Sequence, residues 1–300
     1  MSDQSKSSSN LSGVYPILYM PFDKKSQIDI DDLRRLTEFM IESGADGLGI
    51  AMGSEIFKMS EAERDLVLKT VVDQVNGRVN VVMHTGAQGT KLALSYSMQA
   101  KELGADALMV TPPTMIPVPN EITVKHYREI SENVQIPIFI QDIWTSPIPP
   151  SVVVEIVKTT EYAKYAKAET PPTVMRTSEL KKLGGSDVIV FGGFWGLNFV
   201  AELNRGSAGT MPGCAIIEFY TKAWKYWKMQ KPEEAMLHMR KIAPLLSLLT
   251  RSLDVSFHLD KEILRRRGII NSVNVRMPTS KPDEITYREL DVLLDSLELP

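Results

Sequence analysis

The sequence is poor in cysteine and histidine. Cys214 is the single cysteine among 300 residues, so an intrachain disulfide is impossible and zinc sites of the Cys₂ or Cys₄ kind are excluded. His126, His238 and His258 are scattered over predicted helices and show no metal-ligand spacing. We therefore expect no metal and no other cofactor. The scarcity of cysteine fits a reducing compartment and favours a cytoplasmic protein.

The sequence also lacks an excess of basic charge and a long apolar run. Lys and Arg number 34 against 37 Asp and Glu, which gives a formal net charge of −3. Without a dominant basic patch, nucleic acid is not expected as a partner. No run of eighteen apolar residues is present, so we expect no membrane span. Residues 1–12 are polar and rich in serine, which predicts a disordered tail rather than a signal peptide.

What the sequence does have is a repeat: a glycine, a few small or polar residues, then a short apolar run. The repeat occurs at residues 44–50, 104–110, 184–190 and 206–211. Glycine is typical of a left-handed helix end, and a continuous apolar run is typical of a buried parallel strand. Further strands are predicted at residues 14–20, 79–84, 136–141 and 162–168. Ser60 with Glu63 predicts a capping box, and Asn120 predicts a second helix start.

Eight strand–helix units in succession predict a (β/α)₈ TIM barrel of the α/β class. A doubly wound open sheet is the alternative. That alternative lacks support because no G-x-G-x-x-G follows the first strand and no P-loop lysine is present. We place the barrel at residues 13–228 and interpret residues 229–300 as a C-terminal helical extension packed on it. Helices in this extension are predicted at residues 232–252, 260–267 and 284–297.

Active sites of such barrels lie at the C-terminal ends of the strands, and that rule selects a short set of residues. The candidates are Gly53 and Ser54 after strand 2, His84 on strand 3, Gln141 and Asp142 on strand 5, Lys167 and Glu169 on strand 6, Gly193 after strand 7 and Met211 on strand 8.

Lys167 is the most informative of these candidates. Strand alternation places Tyr165, Lys167 and Glu169 on one face. If that face is the barrel interior, the amine is desolvated, which favours the neutral form that attacks a carbonyl. The alternatives are an outward-facing lysine or a structural ion pair with Glu169.

Several motifs together resemble the dihydrodipicolinate synthase/N-acetylneuraminate lyase family of class I aldolases and dehydratases, over about residues 13–280. These motifs are Pro21-Phe22-Asp23, Gly44-Ala45-Asp46-Gly47-Leu48, Gly53-Ser54-Glu55, Asn76-Gly77-Arg78-Val79, Thr85-Gly86, Gly104-Ala105-Asp106-Ala107 and the lysine on strand 6. The resemblance implies that Lys167 forms a Schiff base with a 2-keto acid. It further implies that Gly53 and Ser54 hold the substrate carboxylate, that Gly193 and Met211 line the pocket, and that the protein is a homotetramer or homodimer.

The sequence departs from the usual family pattern at the proton relay. The loop after strand 2 is one residue shorter than usual, the usual tyrosine at the end of strand 5 is replaced by Gln141, and the tyrosine after strand 4 falls near Pro113 or Thr114. Gln141-Asp142 and the run from Lys167 to Pro171 are similar to those of the 2-keto-3-deoxy-L-arabonate dehydratase branch. This likeness favours dehydration.

We therefore expect a lyase that dehydrates a 2-keto-3-deoxy sugar acid through a Schiff base. The general acid and base remain open among Asp142, Glu169, His84 and a water held by Gln141. Two rival functions also remain open. One is a retro-aldolase that releases pyruvate from a longer keto acid, and the other is a non-catalytic relative that only binds keto acids.

Overall fold

The computed structural model describes residues 10–116 and 118–300, so most of the predicted tail, residues 1–9, lies outside the described residues. The described residues form eight parallel strands in the order β1-β8-β7-β6-β5-β4-β3-β2. The strands are β1 (Gly13–Val14), β2 (Gly47–Ile50), β3 (Asn80–His84), β4 (Ala107–Val110), β5 (Ile138–Asp142), β6 (Tyr165–Ala168), β7 (Ile189–Gly192) and β8 (Gly209–Thr210).

The sheet closes on itself, which confirms the predicted barrel. β1 pairs with β8, and a parallel bridge between Ile17 and Gly49 joins the first strand to β2. β1 is shorter than predicted, because Pro16 has no N–H to donate and interrupts the ladder. Its carbonyl oxygen still accepts from the Gly49 N–H at 2.9 Å.

Twelve α-helices lie within the described residues. They are α1 (Ile30–Glu42), α2 (Glu61–Val75), α3 (Thr90–Glu102), α4 (Asn120–Val134), α5 (Pro150–Thr159), α6 (Thr173–Gly184), α7 (Phe199–Leu203), α8 (Ile217–Lys228), α9 (Pro232–Arg240), α10 (Ala243–Leu249), α11 (Leu253–Arg266) and α12 (Glu284–Ser296). No helix of the described chain is long and apolar enough to cross a membrane.

The structure confirms some helix predictions and corrects others, and the helix predicted at residues 260–267 begins earlier, at Leu253. Ser60 and Glu63 form the predicted capping box at α2. Asn120 is not a cap, because Pro119 takes that position and Asn120 is the first helical residue. The single helix predicted at residues 232–252 is two helices, since Pro244 lies in the first turn of a new one, where proline is favoured. The division at residue 228 stays a prediction.

The barrel interior contains a layer of aromatic rings. Tyr15, Phe139, Tyr165 and Phe191 are buried in one apolar cluster inside the strands. The Phe139 ring lies 4.7 Å from Tyr165 and 5.1 Å from Phe191, measured between centroids. Because side chains alternate along a strand, the inward-facing residues two positions further on lie above this layer, towards the C-terminal rim.

Candidate active site

Lys167 lies inside the barrel, two residues after the aromatic Tyr165. Its side chain is 4% exposed, and its Nζ is 3.0 Å from Oε1 of Glu169. β6 brings both residues to the interior because they are two positions apart on one strand. The amine is therefore desolvated and paired with a single carboxylate among the described contacts.

Glu169 is held from several sides. Gln141 on β5 donates from Nε2 to Glu169 Oε2 at 2.6 Å, and the Phe194 N–H donates to Oε1 at 3.3 Å. Gly193 makes this arrangement possible, since a Cβ there would lie 2.2 Å from Cγ of Glu169. The carboxylate is therefore fixed against Lys167. Gly193 is not among the residues that line the cavity, so its role is to leave room for the Glu169 side chain.

A cavity of about 40 Å³ opens beside this pair. Gln141, Lys167 and Glu169 form its polar wall. The rest of the wall is mostly apolar and includes Ile17, Met52, Ile143, Trp144, Trp195, Met211 and Leu253. About 10–15 Å³ of such space is enough for one water, so the cavity can hold a few waters and suits a small molecule or the reacting end of a larger one.

Several larger cavities lie elsewhere in the molecule, and Lys167 lines none of them; two examples differ from the small cavity in position and chemistry. One of about 230 Å³ lies between α2 and α3 and is lined by Arg64 and Tyr96. Another of about 650 Å³ lies between α8, α9 and the C-terminus. Lys167 lines neither cavity, so we assign the chemistry to the small one. Among the described residues, no group of three or more His, Cys, Asp or Glu is placed to hold a metal.

The loop after β2 places Gly53 at the cavity and Ser54 behind it. Residues Met52–Ser54 form a 3₁₀ turn in which the Ser54 N–H donates to the Ala51 carbonyl oxygen at 2.8 Å. The Ala51 N–H donates to the Ser54 hydroxyl oxygen at 3.1 Å. The Ser54 N–H is thus already used within the loop, while the Ser54 hydroxyl keeps its own proton to donate.

His84 ends β3 and is buried in the barrel. Its Nε2 lies 3.4 Å from the Thr111 hydroxyl, and its carbonyl oxygen accepts from Arg64 at 2.7 Å. Burial, with the charges of Arg64 and Lys167 adding to it, lowers the pKa of His84 to about 3. The imidazole is therefore neutral near pH 7, so it can exchange hydrogen bonds but supplies no positive charge.

Asp142 points to the other side of the sheet. Arg176 of α6 donates to its two oxygens at 2.7 and 3.1 Å, and Thr170 and the Ile148 N–H donate to Oδ1 at 2.8 and 2.9 Å. Burial raises the pKa of Asp142, while the Ile148 N–H, Arg176 and Thr170 oppose that rise. These contacts join β5 to α6 and leave the carboxylate occupied, so the catalytic role predicted for it is not carried further.

The structure brings together several groups that the sequence did not single out. Tyr19, on the segment after β1, lines the cavity, and its hydroxyl contacts Ser256 of α11. Ser256 donates to Asp260 at 2.8 Å. Ser256 and Asp260 are four residues apart, a spacing that places them on one helix face, so this pair could have been noticed.

Trp144 and Trp195 form one stacked pair at the cavity. Their ring centroids are 6.2 Å apart with an interplanar angle of 22°, and both rings line the cavity. The two rings therefore form a joint apolar wall of the cavity.

The fold and the site define a (β/α)₈-barrel protein with a buried lysine at the C-terminal ends of its strands. The Dihydrodipicolinate synthetase family profile matches residues 10–297. The chain therefore belongs to this family of lyases.

Named relatives within the family differ in activity. The chain is 29% identical over 280 residues to L-2-keto-3-deoxyarabonate dehydratase from Azospirillum brasilense, covering 90% of each chain. It is 27% identical over 244 residues to 4-hydroxy-tetrahydrodipicolinate synthase from Methanococcus vannielii, covering 80% of this chain and 83% of the relative.

Solved structures share the fold. Dihydrodipicolinate synthase from Thermotoga maritima has a TM-score of 0.90 at 22% identity, covering 96% of this chain and 99% of the other. YagE, a prophage protein of the same family from E. coli K12 solved with pyruvate, has a TM-score of 0.90 at 20% identity, covering 97% and 100%.

Proposed function

We propose that the protein forms a Schiff base between Lys167 and a 2-keto acid and dehydrates a 2-keto-3-deoxy sugar acid. The observation that carries this proposal is the 3.0 Å contact between Lys167 Nζ and Glu169 Oε1 at the edge of a cavity inside the barrel. A lysine in this setting can pass its proton to the neighbouring carboxylate and attack a ketone as the neutral amine.

The reaction then needs one carboxylate that alternates between base and acid. Glu169 takes a proton from Lys167 and returns it to the oxygen that leaves C2 as water when the protonated imine forms. The imine withdraws electrons, so Glu169 can remove a proton from C3 to give an enamine. The enamine expels the C4 hydroxyl, which leaves as water with that same proton. Hydrolysis of the imine then frees Lys167 and the dehydrated keto acid.

Neighbouring groups have defined tasks in this proposal. Gln141 holds Glu169 through Nε2, and its Oε1 is buried without a hydrogen-bond partner among the described residues. That oxygen can accept from a substrate hydroxyl. We assign the substrate carboxylate to the Gly53 backbone and the Ser54 hydroxyl, where fixed donors stabilise negative charge. Neutral His84 helps to hold the substrate, and Met211 supplies an apolar wall.

The sequence at the end of β5 supports dehydration over carbon–carbon cleavage. Gln141 cannot exchange a proton as a tyrosine can, which leaves Glu169, 3.0 Å from Lys167, as the acid–base group of the polar wall. The likeness to L-2-keto-3-deoxyarabonate dehydratase points the same way. Product analysis separates the two reactions: a single dehydrated keto acid supports the proposal, and pyruvate with an aldehyde supports the retro-aldolase.

Reductive trapping tests the Schiff base itself. Incubation with pyruvate and borohydride should add mass to a peptide that contains Lys167. Lys164→Ala is a matched control, because Lys164 is close in sequence and donates instead to the Val157 carbonyl oxygen at 2.6 Å. Trapping in that control and none in Lys167→Ala is the expected result. If neither pyruvate nor any sugar-derived keto acid is trapped, the protein is a non-catalytic relative.

We also propose that the protein is a homotetramer or homodimer in the cytoplasm. Support for assembly comes from apolar side chains exposed beside one another in the chain, Met115 at 78% and Ile116 at 71%, with Ile122 following on α4. Exposed apolar groups of this kind mark interaction surfaces when they form a patch. Light scattering that finds only particles of 33.6 kDa, the mass of one chain, would contradict this assignment.

A further inference from the structure

The loop after β7 has an unusual backbone. Phe194 has φ 49° and Trp195 has φ 57°, directly after Gly193. Two successive bulky residues in the left-handed region are unfavourable, and such a segment persists only where its surroundings hold it. The contacts of Trp195 therefore show what fixes this part of the cavity.

Trp195 is held at both its side chain and its backbone. Its indole Nε1 donates to the Ser256 hydroxyl at 2.6 Å, and the Tyr220 hydroxyl donates to its carbonyl oxygen at 2.7 Å. The indole stacks on Trp144. The hydrogen bond from the ring goes to α11, so the C-terminal extension holds a wall of the cavity.

Ser256 is suited to fix the indole because its own hydrogen bonds are complete. Its proton goes to Asp260 Oδ2 at 2.8 Å, and its two lone pairs meet the Trp195 N–H and the Tyr19 hydroxyl. A hydroxyl has one donor and two acceptor positions, so all are used. Ser256 is fully buried, and Leu253, one turn earlier on α11, lines the cavity.

We infer that Ser256 is a positioning residue that holds Trp195 as an end wall of the substrate cavity and so limits the chain length of the keto acid. This inference rests on the proposed function, because the substrate is taken to be attached at Lys167. Lys167 and Trp195 line the same cavity of about 40 Å³, so the indole bounds the space that is left for substrate carbons beyond C4. Loss of the Ser256 hydroxyl releases the indole and lets longer chains enter.

The test compares trapped adducts of straight-chain 2-keto acids with three to six carbons. Wild type should trap pyruvate at least about tenfold faster than 2-ketohexanoate, since a steric pocket discriminates by about that factor. Ser256→Ala should reduce this ratio by about fivefold or more, and Trp195→Ala should abolish it. Trp195→Phe keeps a ring but loses the N–H, so it should lower the ratio as much as Ser256→Ala does. The double variant Ser256→Ala with Trp195→Phe should lower the ratio no further than either single variant.

Ser252→Ala is the matched control. Ser252 caps the same helix by accepting from the Val255 N–H, so its loss weakens α11 without touching Trp195. The control should keep the wild-type chain-length ratio. A wild type that traps all four acids equally, or a Ser256→Ala variant with the wild-type ratio, overturns the inference.

A second measurement needs no substrate and separates this inference from the proposed function. The measurement is acrylamide quenching of tryptophan fluorescence. Each protein is compared with the same protein carrying Trp195→Phe, and the difference reports on the Trp195 ring. Ser256→Ala should raise that quenching and Ser252→Ala should not. If no keto acid is trapped at all, the proposed function fails, and unchanged quenching would independently refute the role of Ser256.

Discussion

Lys167 and Lys261 are both buried lysines that pair with a glutamate, and they differ in what surrounds the pair. Lys261 on α11 lies 2.5 Å from Glu55 Oε1, donates to the Asn274 carbonyl oxygen at 2.9 Å and sits 4.7 Å from the centre of the Phe22 ring. Lys167 has the Glu169 contact at 3.0 Å and a cavity beside it.

The difference shows that burial and pairing do not by themselves identify a reactive amine. Burial, opposed mainly by Glu55, lowers the pKa of Lys261 to about 8. A carbonyl carbon nevertheless has to approach the nitrogen along a free direction. At Lys261 protein atoms fill the space around the amine, whereas Lys167 keeps a side open to the cavity. Shape therefore distinguishes Lys167, the lysine that we propose to react, from Lys261.

The largest expected effect is the loss of turnover in Lys167→Ala. We expect turnover to fall by a factor on the order of 10⁴ or more, because the covalent intermediate cannot form. The variant should remain folded, although its unfolding midpoint should fall because Glu169 loses its buried cation. Steady-state kinetics and thermal unfolding on one preparation check both parts, and a folded variant with wild-type turnover would refute the assignment.

Glu169→Gln should have the next largest effect. Loss of one acid–base group typically lowers the rate by about 10²–10⁴-fold. The glutamine keeps much of the shape but cannot carry the proton, so both imine formation and the removal of the C3 proton should slow. Rapid-quench trapping should therefore show a Lys167 adduct that forms more slowly than in wild type. Unchanged turnover would move the acid–base role to another group.

Lys261→Met should affect stability rather than chemistry. Removing one partner of a buried ion pair costs about 3–5 kcal/mol when the remaining charge is left uncompensated. Glu55 would keep Lys58 at 3.0 Å and the Arg276 N–H at 3.2 Å, so we expect a loss at or below the lower end of that range. Denaturant titration measures the free energy of unfolding. The double variant Lys261→Met with Glu55→Leu should recover part of the loss, and no recovery would mean that the pair is not the cause.

The smallest effect concerns Asp260, a buried carboxyl with no ion pair among the described contacts. Burial, opposed by Ser256 and Tyr19, raises its pKa to about 7. The folded protein then binds a proton that the unfolded chain releases between about pH 4 and pH 7, so stability falls across that range by a few kcal/mol at most. Asp260→Asn should flatten this part of the stability–pH curve.

Two other buried groups also change the free energy of unfolding over this pH range. The pKa of Glu202 is also raised to about 7 by burial, so it acts in the same direction as Asp260. His84 acts in the opposite direction, since its pKa is lowered to about 3 and stability rises with pH between about 3 and 6.5. Unfolding curves for wild type and variant at each pH isolate Asp260 by difference. An identical slope in both would contradict the assigned titration.

The sequence predicted the elements in which local pattern decides the structure. The barrel followed from repeated glycine-to-strand transitions, and the inward face of β6 followed from alternation at Lys167 and Glu169. The same alternation implies that Asp142 faces outward if Gln141 faces inward. The contact between Glu55 and Lys261 was not predictable, because 206 positions separate the two residues and no local pattern couples them.

The contacts of Glu55 with Lys261 and Arg276 also determine when the site can be completed during protein synthesis. The Gly53–Ser54 loop leaves the ribosome early, yet the buried carboxylate that follows it has no cation from α11 until Lys261 has emerged. Arg276, further on still, donates its backbone N–H to the same carboxylate. A nascent chain that already contains the whole barrel therefore still lacks these two contacts to the loop. The site is complete only when residues of the C-terminal extension contact Glu55 after the Gly53–Ser54 loop.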